Sequence, residues 1–427
     1  MKRRKKYSLQ EKLVKRRLHK TNYIVYRFLA FAVVKLMFEK KLNVTYHYKV
    51  NPKDVKSPFI VVGNHASRLD YIYASLALLP HSLNYMAGYN EFFRSHLAFI
   101  LRLMQVIPKK NFVNDVYAIT QIHRILQEKG NVIFFPEGMS SISGANQPAA
   151  IASGKLLKYF GVPVLSIKIS GGYLTNTKYC LDLRPGKVEV EVDMLFTPEK
   201  LFKLSEQEIQ YELDKAIWND DFAWNKKARI AFGNGKHMAK NIQDMLFWCP
   251  KCNSEFKIES EDNRFYCKKC GNGATINEYY DLIPMHEECL MPDSIRIWWD
   301  RQRDHVKMLV ESEDFKLEDE FDIGTLPSNK YLKNQQTSEI VGKGKLVLTH
   351  KGMKFVGSRD NQNYEFSIDS LRVPTLGICT DMTRFFIYVQ GEYIEFVPRR
   401  RVVAKWLLAV EENYRYNGGA WKTLIDF

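Results

Sequence analysis

The chain has 427 residues, 45% of them hydrophobic, and a formal net charge of +15. That length excludes a single ordinary domain, and two to four units with real cores are expected. The first 41 residues contribute +12 and the remainder is close to neutral. A uniformly basic surface that coats nucleic acid is thereby disfavoured, and a local device for an anionic surface is favoured.

Residues 1 to 20 hold ten Lys or Arg and one Glu. Residues 22 to 38 follow as an apolar, aromatic run interrupted by Arg27 and Lys35. The longest charge-free stretch is well short of the ~18–20 residues that span a bilayer. The expectation is a helix lying in the membrane interface with the basic leader on lipid headgroups. The alternative is a helix packed on its own domain beside a solvated tail. A cleaved signal peptide is disfavoured, because Ala30-Phe31-Ala32 lies inside the apolar run.

Phe59-Ile60-Val61-Val62 reads as a buried strand that Gly63 breaks. Leu69, Ile72, Tyr73, Leu76 and Leu79 then recur at helical spacing until Pro80. His65 therefore sits on a strand-to-helix turn, with Asp70 five residues on. An imidazole there can take a proton from a nucleophile while the carboxylate fixes its tautomer. On a straight helix the two would lie roughly 140° apart, so His65 must precede the first turn. The same residues also read as a capping box, with Ser67 as N-cap and Asp70 reaching back. The two readings are compatible.

Residues 85 to 107 form a second apolar and basic segment, in which Phe92, Phe93, Phe99 and Met104 alternate with Arg94, His96 and Arg102. A helix is expected from Asn114 to Glu128, capped at Gly130. Asn131 to Phe135 reads as another buried strand, followed at once by Pro136-Glu137-Gly138-Met139-Ser140-Ser141. Gly161 to Ser166 is an apolar stretch with an internal proline, and Arg184 to Val192 alternates as a strand after a turn. Helices over 205–216 and 222–232 close this region.

Asn64-His65-x4-Asp70 and Phe135-Pro136-Glu137-Gly138, about seventy residues apart, resemble the PlsC-type glycerolipid acyltransferases. Gly161 to Ser166 resembles that family's apolar strand with an internal proline. Val106-Ile107-Pro108-Lys109-Lys110 falls where the family carries a basic residue for the acceptor's phosphate. The resemblance covers roughly residues 45 to 200 and implies an α/β acyltransferase domain over 45–245, a central sheet flanked by helices. It implies transfer of an acyl chain from acyl-CoA or acyl carrier protein to the hydroxyl of a lysophosphatidate-like lipid. His65 would be the general base and Asp70 its partner. Asn64, Ser67, Lys109, Lys110, Pro136, Glu137, Gly138 and Ser140 would line the substrate site. Donors near the Pro136-Glu137-Gly138 turn would hold the acceptor or the developing oxyanion.

Two departures stand out. Ser140 occupies the position where the family usually carries an arginine, and a hydroxyl cannot replace a bidentate guanidinium. Ala87-Gly88-Tyr89 offers no lysine where the family often has one. Either Lys109, Lys110 and Lys155 compensate, or the acceptor is a glycolipid or amino-lipid. An inactive lipid-binding protein and a nucleic-acid-binding zinc-ribbon protein are the rival classes.

Cys249-Pro250-Lys251-Cys252 and Cys267-Lys268-Lys269-Cys270 are two knuckles separated by fourteen residues. Four thiolates at this spacing make a closed, structural Zn2+ site, with Phe256 to Tyr266 as the hairpin of a zinc ribbon over 246–290. Four cysteines leave no open position for catalysis. Cys180, Cys289 and Cys379 are scattered, which implies a reducing compartment and the cytoplasmic face of the membrane.

Beyond the knuckles, 294–311 reads as a helix and 312–343 as polar and turn-rich. Short strands over 345–349, 353–356, 363–368, 384–389 and 393–397 lead to a helix from Arg401 to Tyr414. Hairpins closed by one amphipathic helix resemble a PH/GRAM-like domain in topology, expected over 291–427 as a small β-rich unit whose ligand the fold cannot assign.

Overall fold

A computed structural model of the chain describes residues 7–35, 42–333 and 336–420. The first part of the basic leader (1–6) and the end of the apolar run (36–41) lie outside the described residues.

The first sheet is built from β1 (Asn43–Tyr48), β2 (Ile60–Gly63), β3 (Leu83–Gly88), β4 (Ile107–Lys109), β5 (Asn131–Phe134), β6 (Val164–Ser170) and β7 (Lys187–Phe196). Their order is β1-β7-β6-β2-β5-β3-β4. All neighbouring pairs run parallel except β6 and β7. Central strands of such a sheet are covered on both faces and read as unbroken apolar runs, as β2 does.

Alternation along β2 and β5 sorts the two faces. Val61 and Ile133 join Ile72, Tyr73, Ala77, Leu165 and Val190 in one core, which also receives Tyr26 and Ala30 from the N-terminal helices. Ile60, Val62 and Val132 join Ile122, Ile125, Leu157, Ile209 and Leu213 in the other. The helices Asp70–Ala77 and Val116–Gln127 thus pack on opposite faces of one sheet.

At the end of helix Val116–Gln127 the left-handed residue is Lys129, at φ 57°, and not the expected Gly130. Gly130 answers to space: a Cβ there would lie 2.7 Å from both Ile125 Cγ2 and Lys20 Cβ. The closing helices are Glu206–Ile217, opened by a capping box of Ser205 and Glu208, and Asp221–Ala228, which ends earlier than expected.

Four short strands, β8 (Ile258–Glu261), β9 (Arg264–Cys267), β10 (Gly273–Ile276) and β11 (Leu282–Pro284), form an antiparallel sheet. Helix Ile295–Val310 leads from it into a β-rich domain. That domain comprises β12 (Lys316–Thr325), β13 (Glu339–Thr349), β14 (Gly352–Arg359), β15 (Gln362–Asp369), β16 (Gly377–Ile378), β17 (Phe385–Val389) and β18 (Glu392–Pro398). Its strands run antiparallel in the order β15-β14-β13-β12-β18-β17-β16, and helix Val403–Tyr416 closes it.

One expectation is overturned here. The segment 312–343 holds β12, a central strand of ten residues, and the start of β13. Leu317, Asp319, Phe321 and Ile323 alternate inward along β12. The charged inward residue hides the pattern. Asp319 is buried because it accepts from Trp406 Nε1 at 2.8 Å and from the Arg400 guanidinium, the pairing a buried carboxylate requires.

Gly63 ends β2 beside its pairing partner Ile167 on β6. A Cβ there would stand 2.5 Å from Ile167 Cγ1 and 2.9 Å from the Ile167 carbonyl oxygen. Gly63→Ala is expected to destabilise the fold by about 1–3 kcal/mol through overpacking. The shift of the denaturant midpoint measures this, and an unchanged midpoint would contradict the packing described.

Candidate active site and thiol cluster

β2 and β5 pair with Ile60 beside Val132, Val61 beside Ile133 and Val62 beside Phe134. Carried past the strand ends, the same offset of 72 residues brings Glu137 beside His65. There the His65 N–H donates to Glu137 Oε1 at 2.5 Å. The two motifs therefore meet at the carboxyl ends of adjacent parallel strands, where open α/β sheets hold their ligands. Further bonds fix the meeting point. The His65 carbonyl accepts from the Ser141 N–H at 2.7 Å. Glu137 Oε2 accepts from the Gln147 N–H at 2.9 Å. Gly138 turns the chain at φ +83°, a conformation that glycine adopts without strain.

His65 Nδ1 lies 2.7 Å from Asp70 Oδ2. The imidazole is one quarter exposed, whereas the Asp70 side chain is 1% exposed. Asp70 opens its helix, so His65 precedes the first turn as the spacing requires. Both Asp70 oxygens also accept from the Ser67 N–H at 3.1 Å, and Ser67 Oγ lies 3.3 Å from Oδ1. The expected capping box does not form: the N-cap is Leu69, with no side-chain cap bond, and Ser67 Oγ accepts from the Leu69 N–H at 3.2 Å, one residue short of Asp70. Burial pushes the Asp70 carboxyl above its ordinary range, opposed by the bonds from His65 and Ser67. The imidazole stacks on Phe135, centroids 4.6 Å apart and planes 22° from parallel. With Nδ1–H donating to the carboxylate, Nε2 keeps its lone pair.

The other residues singled out in the sequence occupy varied positions. Asn64 is buried, and its amide both donates to and accepts from the Ile169 backbone at 2.8 and 2.7 Å, extending the pairing of β2 with β6. The Pro136 carbonyl accepts from the Ala150 N–H at 3.0 Å. Lys109 Nζ donates to the carbonyls of Lys110 and Val113 at 3.1 and 3.4 Å, and burial lowers its pKa. Lys110 Nζ donates to the Gly391 carbonyl at 3.1 Å, on the turn between β17 and β18, and sits near the rings of Tyr89 and Tyr388.

Ser140 meets a residue that the sequence does not single out. Lys178 Nζ donates to Ser140 Oγ at 3.1 Å. Both line a small cleft with Ala66, Ser67, Arg68, Ser141, Asn176, Thr177 and Thr380. Neither Lys178 nor Thr380 stands in a motif, and only the folded chain brings them beside residue 140.

Cys249, Cys252, Cys267 and Cys270 place their sulfurs within 4.8 Å of one another. Cys249 and Cys270 are 3.6 Å apart, and Cys252 and Cys267 3.8 Å. Thiolates bound at ~2.3 Å around a tetrahedral ion stand roughly 3.8 Å apart, so the cluster fits such an ion. The hairpin of β8 and β9 joins the knuckles as expected, and the Cys289 sulfur lies outside the cluster, accepting from the Gly273 N–H at 3.4 Å and 3.9 Å from the Gly271 carbonyl oxygen.

Comparison with known proteins finds a match over the stretch that holds β1 to β6. Residues 41–170 match the sequence model of the Acyltransferase family. No curated protein matches the chain significantly. Among solved structures the chain is similar to the 1-acyl-sn-glycerophosphate (LPA) acyltransferase PlsC from Thermotoga maritima. The identity is 21% over 48% of this chain and 79% of that one, with a TM-score of 0.39. The match to the Acyltransferase family model thus spans the stretch that carries both the His65–Asp70 pair and the Glu137 turn.

Proposed function

We propose that the chain transfers an acyl group from a thioester donor, acyl-CoA or acyl carrier protein, to the hydroxyl of a lysophosphatidate-like lipid. The observation that carries this is the 2.7 Å contact between His65 and a buried Asp70, held against the Glu137 turn. His65 Nε2 removes the proton as the acceptor oxygen attacks the thioester carbonyl. The imidazolium is stabilised by Asp70. It returns the proton to the departing thiolate as the C–S bond breaks, so no net charge is left behind. Phe135 and Asp70 hold the ring in one orientation, which lowers the entropy lost on the way to the transition state.

Membrane attachment is part of the same proposal. Among the described residues, no helix is long and apolar enough to cross a membrane. Helix Tyr23–Leu29 buries Tyr26 against the domain but exposes Ile24, Phe28 and, in the turn that follows, Phe31. These three share one face at helical spacing, directly after a basic leader, the arrangement of an interfacial helix. The four thiolates, in turn, would hold one structural zinc ion.

Three outcomes test these statements. With acyl-CoA and lysophosphatidate, His65→Ala is expected to lower kcat by ~10²–10⁴, and Asp70→Asn by a similar order. Equal thioester turnover by wild type and His65→Ala would remove the catalytic reading. Ile24→Glu with Phe28→Glu is expected to abolish flotation with anionic vesicles, and wild-type binding should weaken with salt. Unchanged flotation would reject the interfacial helix. Metal analysis should find one zinc per chain, and Cys267→Ser should lose it and lower the melting temperature. A metal-free wild type with the same melting temperature would reject the zinc site.

A further inference from the structure

The cleft beside the His65 turn contains two cations, buried Lys178 and exposed Arg68, that make no ion pair among the described residues, although Asp381 and Asp182 stand nearby. Lys178 is 7% exposed. Among the described residues, its ammonium has one hydrogen-bond partner, the Ser140 hydroxyl, and no ion pair. A buried ammonium is costly without an anionic partner. Arg68 lines the same cleft, donates to the Leu181 carbonyl at 2.5 Å and likewise makes no ion pair among the described residues. Ala66 and Ser67 follow His65 directly in the chain, and Ser141, next to Ser140, bonds the His65 carbonyl.

On the catalytic reading given above, we infer that Lys178, with Arg68, binds a phosphate group of a substrate, and that the C-terminal β-domain, through Thr380, forms the outer wall of this site. The amine supplies from a different element the positive charge that Ser140 cannot. Thr380 is exposed and sits at the mouth of the cleft. The cleft is half-open, with room for about one water in its interior and Thr380 on its rim.

Burial, opposed by Cys379 and Asp381 and aided by Arg68, lowers the Lys178 pKa to about 8. Asp381 is held by the Thr383 N–H and hydroxyl at 3.2 and 2.7 Å. Because the folded value lies below that of a free lysine, the amine is charged below pH 8 and neutral above it. Phosphate affinity is therefore present below pH 8 and lost as pH rises through that value.

The test measures initial rates with lysophosphatidate, with 1-acylglycerol as the phosphate-free acceptor, and with acyl-CoA as donor. Lys178→Met is expected to raise the KM for lysophosphatidate roughly 10- to 100-fold, the worth of one charge-assisted hydrogen bond. The KM for 1-acylglycerol should stay unchanged. Lys178→Arg should retain affinity and abolish its loss above pH 8. Thr380→Trp, at an exposed position, should raise the same KM without touching the amine. If the KM for acyl-CoA rises instead, the bound phosphate is the donor's and the site stands with its source reassigned. If neither KM moves while His65→Ala abolishes turnover, the phosphate site is refuted and the catalytic reading survives. If wild type shows no turnover, inorganic phosphate still decides: it should raise the Lys178 titration midpoint followed by NMR of methylated lysines. No shift would refute the site on its own.

Discussion

The register between β2 and β5 is the constraint on which the geometry of the candidate site depends. Two parallel strands with an offset of 72 residues deliver His65 and Glu137 side by side. The main-chain N–H of His65 then bonds to the Glu137 carboxylate, and its carbonyl to Ser141. A charged acceptor makes the stronger kind of hydrogen bond, stronger still where water is excluded. Glu137 is 1% exposed, so the carboxylate works as a clamp on the backbone that carries the imidazole. Asp70 then needs only to set the ring. A slip of one residue in this pairing would turn the side chains of β2 to the opposite faces and separate the two motifs.

Much of this was legible in the sequence, for identifiable reasons. Buried parallel strands advertise themselves as short apolar runs, and the turns after β2 and β5 carry unusual polar clusters. The four cysteines declare their partnership through spacing alone. What the sequence concealed were the positions where polarity and burial part company. Asp319 interrupts the inward alternation of β12, because its partners Trp406 and Arg400 lie some eighty residues away. Lys129 takes the left-handed turn that Gly130 advertises, because the glycine is needed for close contact with Ile125 and Lys20. Lys178 and Thr380 belong to no motif and become neighbours only through packing between the first sheet and the C-terminal domain.

The thiol cluster gains its importance from what it adjoins. One continuous core contains Ile142, Tyr173 and Tyr179 of the first region, Phe265 and Ile276 of the small sheet, and Phe321 and Trp406 of the C-terminal domain. The Tyr280 hydroxyl donates to the Leu174 carbonyl at 2.7 Å, and the Tyr173 hydroxyl to the Ile142 carbonyl at 2.6 Å. These bonds brace the stretches on either side of Ser140 and Lys178. A metal at the four sulfurs would act on the site by stiffening the floor beneath it.

A second shared core joins the ends of the chain. Leu13 of the leader, Phe92 and Phe93 of the first region, and Leu326, Leu332, Phe386 and Tyr393 of the last region bury one another, while Lys110 reaches across to Gly391. The region that carries the candidate site therefore shares its core with the last region. Cut away from the rest, it would bare a broad greasy scar that water cannot tolerate. Trimming the chain to its first region would therefore require rebuilding that surface in polar residues.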